Sequence, residues 1–154
     1  MQPQEIEIGD TLGILEIPEI DLKTPIVEGA SEAQIRYAVG HLPSSSSIYE
    51  LEKNNQNFAI AGHRSSAYGK FFNRLDELEL ESEFKIYVQN KVLTYKVIEK
   101  KIVEPTDVDV IYPVKGKTLT TLITCHPPLS DKQRLIVFGE LFAEERLDGS
   151  ELFN

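Results

Sequence analysis

The stretch Leu119-Thr120-Thr121-Leu122-Ile123-Thr124-Cys125, followed after a short loop by Arg134-Leu135-Ile136-Val137-Phe138-Gly139-Glu140-Leu141, carries the strongest structural signal in the chain. Leu119, Thr121 and Ile123 alternate up to Cys125, and Leu135, Val137, Gly139 and Leu141 alternate after Arg134. Such alternation reads as strand, because successive side chains on a strand face opposite ways. Paired antiparallel, the two runs place Cys125 and Arg134 at the same sheet end. Neighbouring strands run about 4.8 Å apart, so both side chains can reach one substrate atom. Pro127 and Pro128 stiffen the intervening loop and supply no N–H for a ladder.

Working outward, Thr11–Ile17 is β-prone and meets Pro18, and residues 24–27 form a short extended run ending at Gly29. Ser31 with Gln34 three residues on is a capping box, so a helix is expected to start there, with Gly40 as its stop. Ser44 to Ser47 are expected to form a solvated surface loop. Phe58-Ala59-Ile60-Ala61 reads as a buried strand that stops at Gly62 and hands over to His63. Phe71, Phe72 and Leu75 share one face of a short helix. Phe84, Ile86 and Val88 alternate, as do Leu93, Tyr95 and Val97, and Asn90-Lys91 between them marks a hairpin. Residues 104–116 hold two prolines and little periodicity, so they form a long connection with a helical turn at 107–111. Seven or eight short strands against two short helices predict a mostly-β single domain over residues 1–154, closed as a barrel.

The bulk composition agrees with this and narrows the function. The 154 residues are enough to bury a core without disulfides or a structural metal. With 25 acidic and 16 basic side chains the formal charge is −9, which argues against a nucleic-acid partner, since phosphate binding needs clustered Lys and Arg. No apolar stretch approaches the roughly 18 residues that span a bilayer. Residues 1–10 lack the basic and apolar regions of a signal peptide. The one cysteine is either a small buried hydrophobe or a reactive thiol.

A cysteine at a sheet rim is accessible, and a neighbouring guanidinium favours the thiolate and can stabilise an oxyanion. The thiol still needs an acid–base partner, and there are three histidines. His126 adjoins Cys125 and so faces the opposite side of the strand. His63 follows a buried strand and a glycine, a position held rigidly over a cleft. His41 is the runner-up. Each residue alone has a bland reading: a core cysteine, a hydrogen-bonded histidine, a solvated arginine. One cysteine and three scattered histidines lack zinc-ligand spacing, and no Gly-rich phosphate loop is present.

Together these residues resemble a known family. Thr121-Leu122-Ile123-Thr124-Cys125 is similar to the sortase signature, a hydrophobic strand ending in Thr-Cys. Arg134-Leu135-Ile136-Val137 resembles that family's arginine strand, and Ala61-Gly62-His63-Arg64 its catalytic-histidine segment. Gly13-Ile14-Leu15-Glu16-Ile17-Pro18 and Pro25-Ile26-Val27-Glu28-Gly29 resemble its first two strands, so the likeness spans residues 9–142. Gly40-His41-Leu42-Pro43 resembles a frequent sortase motif without a catalytic role. His126-Pro127-Pro128 and the compact loop to Arg134 look most like class D, with class E next.

The resemblance implies an eight-stranded sortase-type β-barrel with two or three short helices. It implies Cys125 as nucleophile, His63 as general acid–base and Arg134 as the positioning or oxyanion-stabilising cation. Thr124, Ala61, Val110, Ile111 and Tyr112 would meet the peptide. The implied activity is cleavage of a Leu-Pro-x-Thr-Gly-like sorting signal after threonine, through a thioacyl-enzyme, and transfer to a cell-wall precursor or pilin amine in Gram-positive bacteria. The alternatives are a non-enzymatic mostly-β binding module with a structural cysteine, and a cysteine hydrolase using water. Some class A members bind calcium, but the resemblance does not assign its carboxylates to Glu50, Glu52 or Glu104, so no cofactor is expected and calcium is left as an unsupported alternative. The family's amino-terminal apolar segment has no counterpart in this sequence. The expected location is the extracellular face of the cell membrane, held by an anchor absent from this chain.

Overall fold

The structure is a computed structural model that describes residues 5–64, 71–127 and 130–147. Eight strands close into one barrel: β1 (Thr11–Ile17), β2 (Leu22–Glu28), β3 (Val39–His41), β4 (Gln56–Ala61), β5 (Glu83–Val88), β6 (Lys91–Val103), β7 (Thr118–His126) and β8 (Gln133–Arg146). The order around the ring is β1-β2-β3-β4-β7-β8-β6-β5, closed by β5 pairing with β1 through Leu15↔Ile86. Two pairings are parallel, β2 with β3 and β4 with β7. The fold is therefore the mostly-β barrel expected from the alternation. Among the described residues its helices are one four-residue turn, α1 (Glu32–Ile35), and four short 3-10 segments.

Period-2 patterning sorts the wall into two faces. Leu122, Leu135 and Val137 point inward and join Leu15, Ile17, Ile26, Phe58, Ile60, Phe84, Ile86, Leu93, Tyr95 and Val97 in the main core. Phe84 and Tyr95 stack there with centroids 5.1 Å apart. Gly139 passes directly over them: a Cβ at that position would lie 2.4 Å from Phe84 Cζ. On the outer face Leu119, Ile136 and Phe138 form a second cluster with Val110, and Val103, Ile111 and Ile123 pack around it.

Three local expectations are corrected. The capping box forms, with Gln34 Oε1 accepting from Ser31 N–H at 3.0 Å, but the helix ends at Arg36 and Gly40 is not its stop. Ala38 and Val39 are too apolar to leave in solvent, so the chain turns early and inserts β3 between β2 and β4. Gly40 sits within β3, where a Cβ would lie 2.1 Å from the Gly29 carbonyl oxygen. The serine run is also more than a solvated loop. Ser45 and Ser46 hydroxyls accept from the Ala59 and Asn57 amides at 3.0 and 2.8 Å, so they complete the edge of β4 that short β3 leaves open. The turn joining β5 to β6 is Gln89-Asn90, one residue earlier than expected, with Gln89 in the left-handed region.

Candidate active site

The site lies on the outer face of β4, β7 and β8. Cys125 is directly opposite Arg134 in the β7–β8 ladder, and His126 is opposite Gln133. Partners at one level of an antiparallel pair share a face, so the thiol and the guanidinium project to the same side. Cys125 is a free thiol and half-buried, as suits a rim position. The loop after β7 is closed by Ser130 N–H donating to the Pro127 carbonyl at 3.0 Å; Pro128 lies outside the described residues.

The parallel β4–β7 ladder brings the histidine. Its register runs from Gln56↔Thr118 to Ala61↔Ile123, and Gly62 N–H extends it by donating to the Ile123 carbonyl at 3.0 Å. Carried two residues beyond Ala61↔Ile123, this register would set His63 beside Cys125, although β4 itself ends at Ala61. The other two histidines sit elsewhere. His126 follows the inward parity of Leu122 and Thr124, and its Nδ1 is buried with no hydrogen-bond partner. His41 is 3% exposed, its Nδ1 is 2.5 Å from Glu28 Oε1, its Nε2 donates to the Ser46 carbonyl at 2.8 Å, and its ring stacks on Phe58 at 4.3 Å. With both nitrogens committed, His41 serves the junction of β2, β3 and β4.

The resting groups point at other partners. His63 Nε2 is 3.1 Å from Glu32 Oε2 on α1, and Arg134 Nη1 donates to the Asp131 and Gln133 carbonyls at 2.8 and 2.9 Å. Among the described residues, none hydrogen-bonds the Cys125 thiol. Catalytic hydrogen bonds are often slack without substrate and tighten in the complex, so this arrangement suits an unliganded site.

The remaining sequence candidates divide by face. Ala61 is half-buried on the outer face beside Ile123. Thr124 points inward, is 2% exposed, and its hydroxyl donates to the Gly62 carbonyl at 2.8 Å, so it holds the histidine segment instead of lining a groove. In the connection 104–116, the expected helical turn is the 3-10 segment Val108–Ile111. Val110 roots it in the outer cluster, Ile111 is half-buried, and Val108 and Tyr112 are 57% and 55% exposed. Sequence reasoning missed how this segment is held: buried Asn57 Nδ2 donates to the Val110 and Tyr112 carbonyls at 2.9 and 3.2 Å, and Thr121 donates to Asn57 Oδ1 at 2.6 Å. An asparagine next to the apolar run 58–61 was the available signal. Among the described residues no group of three His, Cys, Asp or Glu side chains is placed to hold a metal, and no helix is long and apolar enough to cross a membrane.

Comparison with known proteins places this geometry. The family model described as the sortase domain matches residues 15–142. Sortase D of Bacillus subtilis is 34% identical over 137 residues, covering 87% of this chain and 65% of the relative. Sortase SrtE1 of Streptomyces coelicolor is 30% identical over 153 residues, covering 92% of this chain and 43% of the relative. The chain thus spans between two-fifths and two-thirds of the length of these curated relatives. Among solved structures, Streptomyces coelicolor sortase E1 with a tripeptide in its active site superposes with a TM-score of 0.81 at 29% identity, covering 90% of this chain and 91% of that one. Sortase C1 of Streptococcus agalactiae gives a TM-score of 0.81 at 31% identity over 86% and 68% of the two chains.

Proposed function

The chain belongs to the sortase family, and from that premise we propose that it is a cysteine transpeptidase acting on sorting-signal peptides. The observation that carries the proposal is Cys125 opposite Arg134 in the β7–β8 register, and His63, two residues past the end of β4, the strand that pairs with β7, supports it. A lone structural cysteine would not need a cation across the ladder.

The chemistry follows from the residue types. The Cys125 thiolate attacks the carbonyl carbon of the threonine in a Leu-Pro-x-Thr-Gly-like signal. Arg134 leaves its loop carbonyls and donates to the carbonyl oxygen or to the backbone beside it, where negative charge develops. His63 protonates the departing amine as the C–N bond breaks, leaving a thioester on Cys125. An incoming amine attacks that thioester, His63 takes its proton, and the C–S bond breaks, so that the new amide leaves with the Cys125 thiolate and the protonated His63 restored. Every group needed is a side chain, so no cofactor enters. Ala61, Ile111 and Tyr112 border the peptide path, with Val110 and Thr124 as support behind it. The acceptor is a cell-wall precursor or pilin amine, and the working location is the outer face of the cell membrane. The likeness to sortase D and sortase E1 favours class D, with class E next.

The deciding experiment is mass spectrometry of the protein incubated with a peptide library and candidate amines. A thioester adduct on Cys125 and amide products are expected, and both should vanish in Cys125→Ala. That variant should lose only about 1 kcal/mol of stability, because the change is small and at a rim. Activity surviving in Cys125→Ala would overturn the assignment. Free acid in a yield indifferent to added amine would make water the acceptor.

A further inference from the structure

We infer that Arg64 is a positioning residue that fixes Cys125 against His63 by standing in for a missing rung of the β4–β7 ladder; the inference rests on the catalytic reading above. In this parallel ladder the Ile123 carbonyl accepts from Gly62 N–H at 3.0 Å. The next rung, two residues on, would run from residue 64 N–H to the Cys125 carbonyl. The backbone does not make it, because the chain leaves the strand at Gly62 and the His63 carbonyl instead accepts from Phe72 N–H at 3.1 Å. The Arg64 side chain takes over, with Nη1 donating to the Cys125 carbonyl at 2.9 Å.

The other guanidinium nitrogens are fixed as well. Nε donates to the Asn73 carbonyl at 3.2 Å and Nη2 to Asp76 Oδ1 at 2.9 Å. The Arg64 side chain is 3% exposed, while the Asp76 carboxylate is half exposed. Burying a full charge whose only counter-ion among the described residues is half in solvent is an expensive way to gain stability alone. What it provides is geometry. A planar fork holds three acceptors from three segments at once: the carbonyl of the thiol-bearing residue, the return segment at Asn73 and the 3-10 turn at Asp76. His63 can then leave the ladder while the Cys125 backbone stays tied to the residue that follows His63. Lysine would keep the charge but lose the planar fork, whose three separate nitrogens each meet one of these acceptors.

The test reads thiol–imidazole geometry without needing the true substrate. Cys125 is alkylated with iodoacetamide across pH in wild type, Arg64→Lys, His63→Ala and the double variant. Arg64→Lys should displace the alkylation midpoint by half a pH unit or more in the wild-type background and leave it unmoved in the His63→Ala background. Coupling of this kind between neighbours is what a double-mutant cycle isolates. A merely structural arginine would shift both backgrounds alike or neither, and either result overturns the proposal. Should Arg64→Lys fail to fold, Asp76→Asn releases one of the three anchors at an exposed position and should give a smaller shift with the same dependence on His63. Where a cleavable peptide is in hand, Arg64→Lys should lower kcat about tenfold or more with KM within about twofold, as expected of misplacement and not of lost binding. If the cycle shows coupling but no peptide forms a thioester, the positioning role stands and the transpeptidase reading falls.

Discussion

At the residue scale, three histidines with the same chemistry have three different surroundings, and these separate their roles. His63 is 39% exposed just past the end of β4, with the Glu32 carboxylate as a side-chain partner. His63→Ala should therefore cost at least about 10²-fold in kcat, the usual scale for a positioned acid–base group. His126 is turned to the inner face and should tolerate alanine within a few-fold. His41 is sealed between Glu28, the Ser46 carbonyl and the Phe58 ring, so His41→Ala should remove about 3 kcal/mol of stability by breaking a buried pair, while the folded fraction keeps its turnover. Thermal melts read beside steady-state rates check all three, and a larger kinetic loss in His126→Ala than in His63→Ala would put the β7 register off by one. Arg134 makes a separate case. Its resting bonds are to carbonyls of its own loop, so nothing in the fold depends on its fork. Arg134→Lys should lower kcat/KM by about 10- to 100-fold, since a hydrogen bond from a charged donor is worth about 1.5–3 kcal/mol, and should leave Cys125 alkylation unchanged. Near-wild-type activity would mean that charge alone suffices.

At the element scale, what the sequence made legible follows from how far each signal reaches. Strong alternation in 119–125 and 135–141 predicted β7, β8 and the Cys125–Arg134 juxtaposition, because register in a two-faced wall is fixed by which residues must be buried. The capping box at Ser31 was equally legible, being a contact within one turn. The helix's length was not. It is set by β3, a three-residue strand with no period of its own, which exists because β2 and β4 leave room for it. Gly40, read as a helix stop, is there because the Gly29 carbonyl passes within 2.1 Å of where its Cβ would be, a contact 11 residues away in sequence. Arg64 and Asn57 were illegible for the same reason: each donates to backbone carbonyls more than 50 residues away. The Asn57 network gives a prediction at this scale. Asn57→Ala would orphan the Val110 and Tyr112 carbonyls and the Thr121 hydroxyl, each costing about 1–3 kcal/mol where it stays dry. Partial rewetting of the exposed end should bring the loss to about 3 kcal/mol by denaturant unfolding. The loosened segment should also raise KM for peptide several-fold while thiol alkylation holds. A KM that does not move would separate the segment from recognition.

At the scale of the whole molecule, the barrel divides its two faces between stability and chemistry. The inner face holds the stacked Phe84 and Tyr95 and the main core, and none of the proposed catalytic groups reaches into it. The outer face of β4, β7 and β8 bears those groups and a smaller cluster rooted by Val110. Placing reactive side chains on connections held by a rigid scaffold lets specificity change without refolding the core. The 104–116 connection is built for that separation, because Asn57 grips it through main-chain carbonyls, which any replacement residue still supplies. Val110 must be kept, since it is the residue of this segment that is buried in the cluster with Leu119, Ile136 and Phe138. Val108 and Tyr112 are more than half exposed and Ile111 is half-buried, so these three can be exchanged at little cost to stability. Replacing Val108, Ile111 and Tyr112 with the corresponding residues of a related sortase should change the ratio of kcat/KM between two sorting-signal peptides by about tenfold or more, which is about 1.4 kcal/mol of differential binding. The melting temperature and the iodoacetamide reactivity of Cys125 should stay at their wild-type values, because the barrel and the ladder beneath the thiol are untouched. Pro105 and Pro113 bracket the segment and should be retained, since they restrict its ends and limit the entropy lost when peptide docks. An unchanged peptide profile in the folded chimera would leave these residues as packing alone and move recognition to the strand end at Ala61, where the outer face meets the histidine segment.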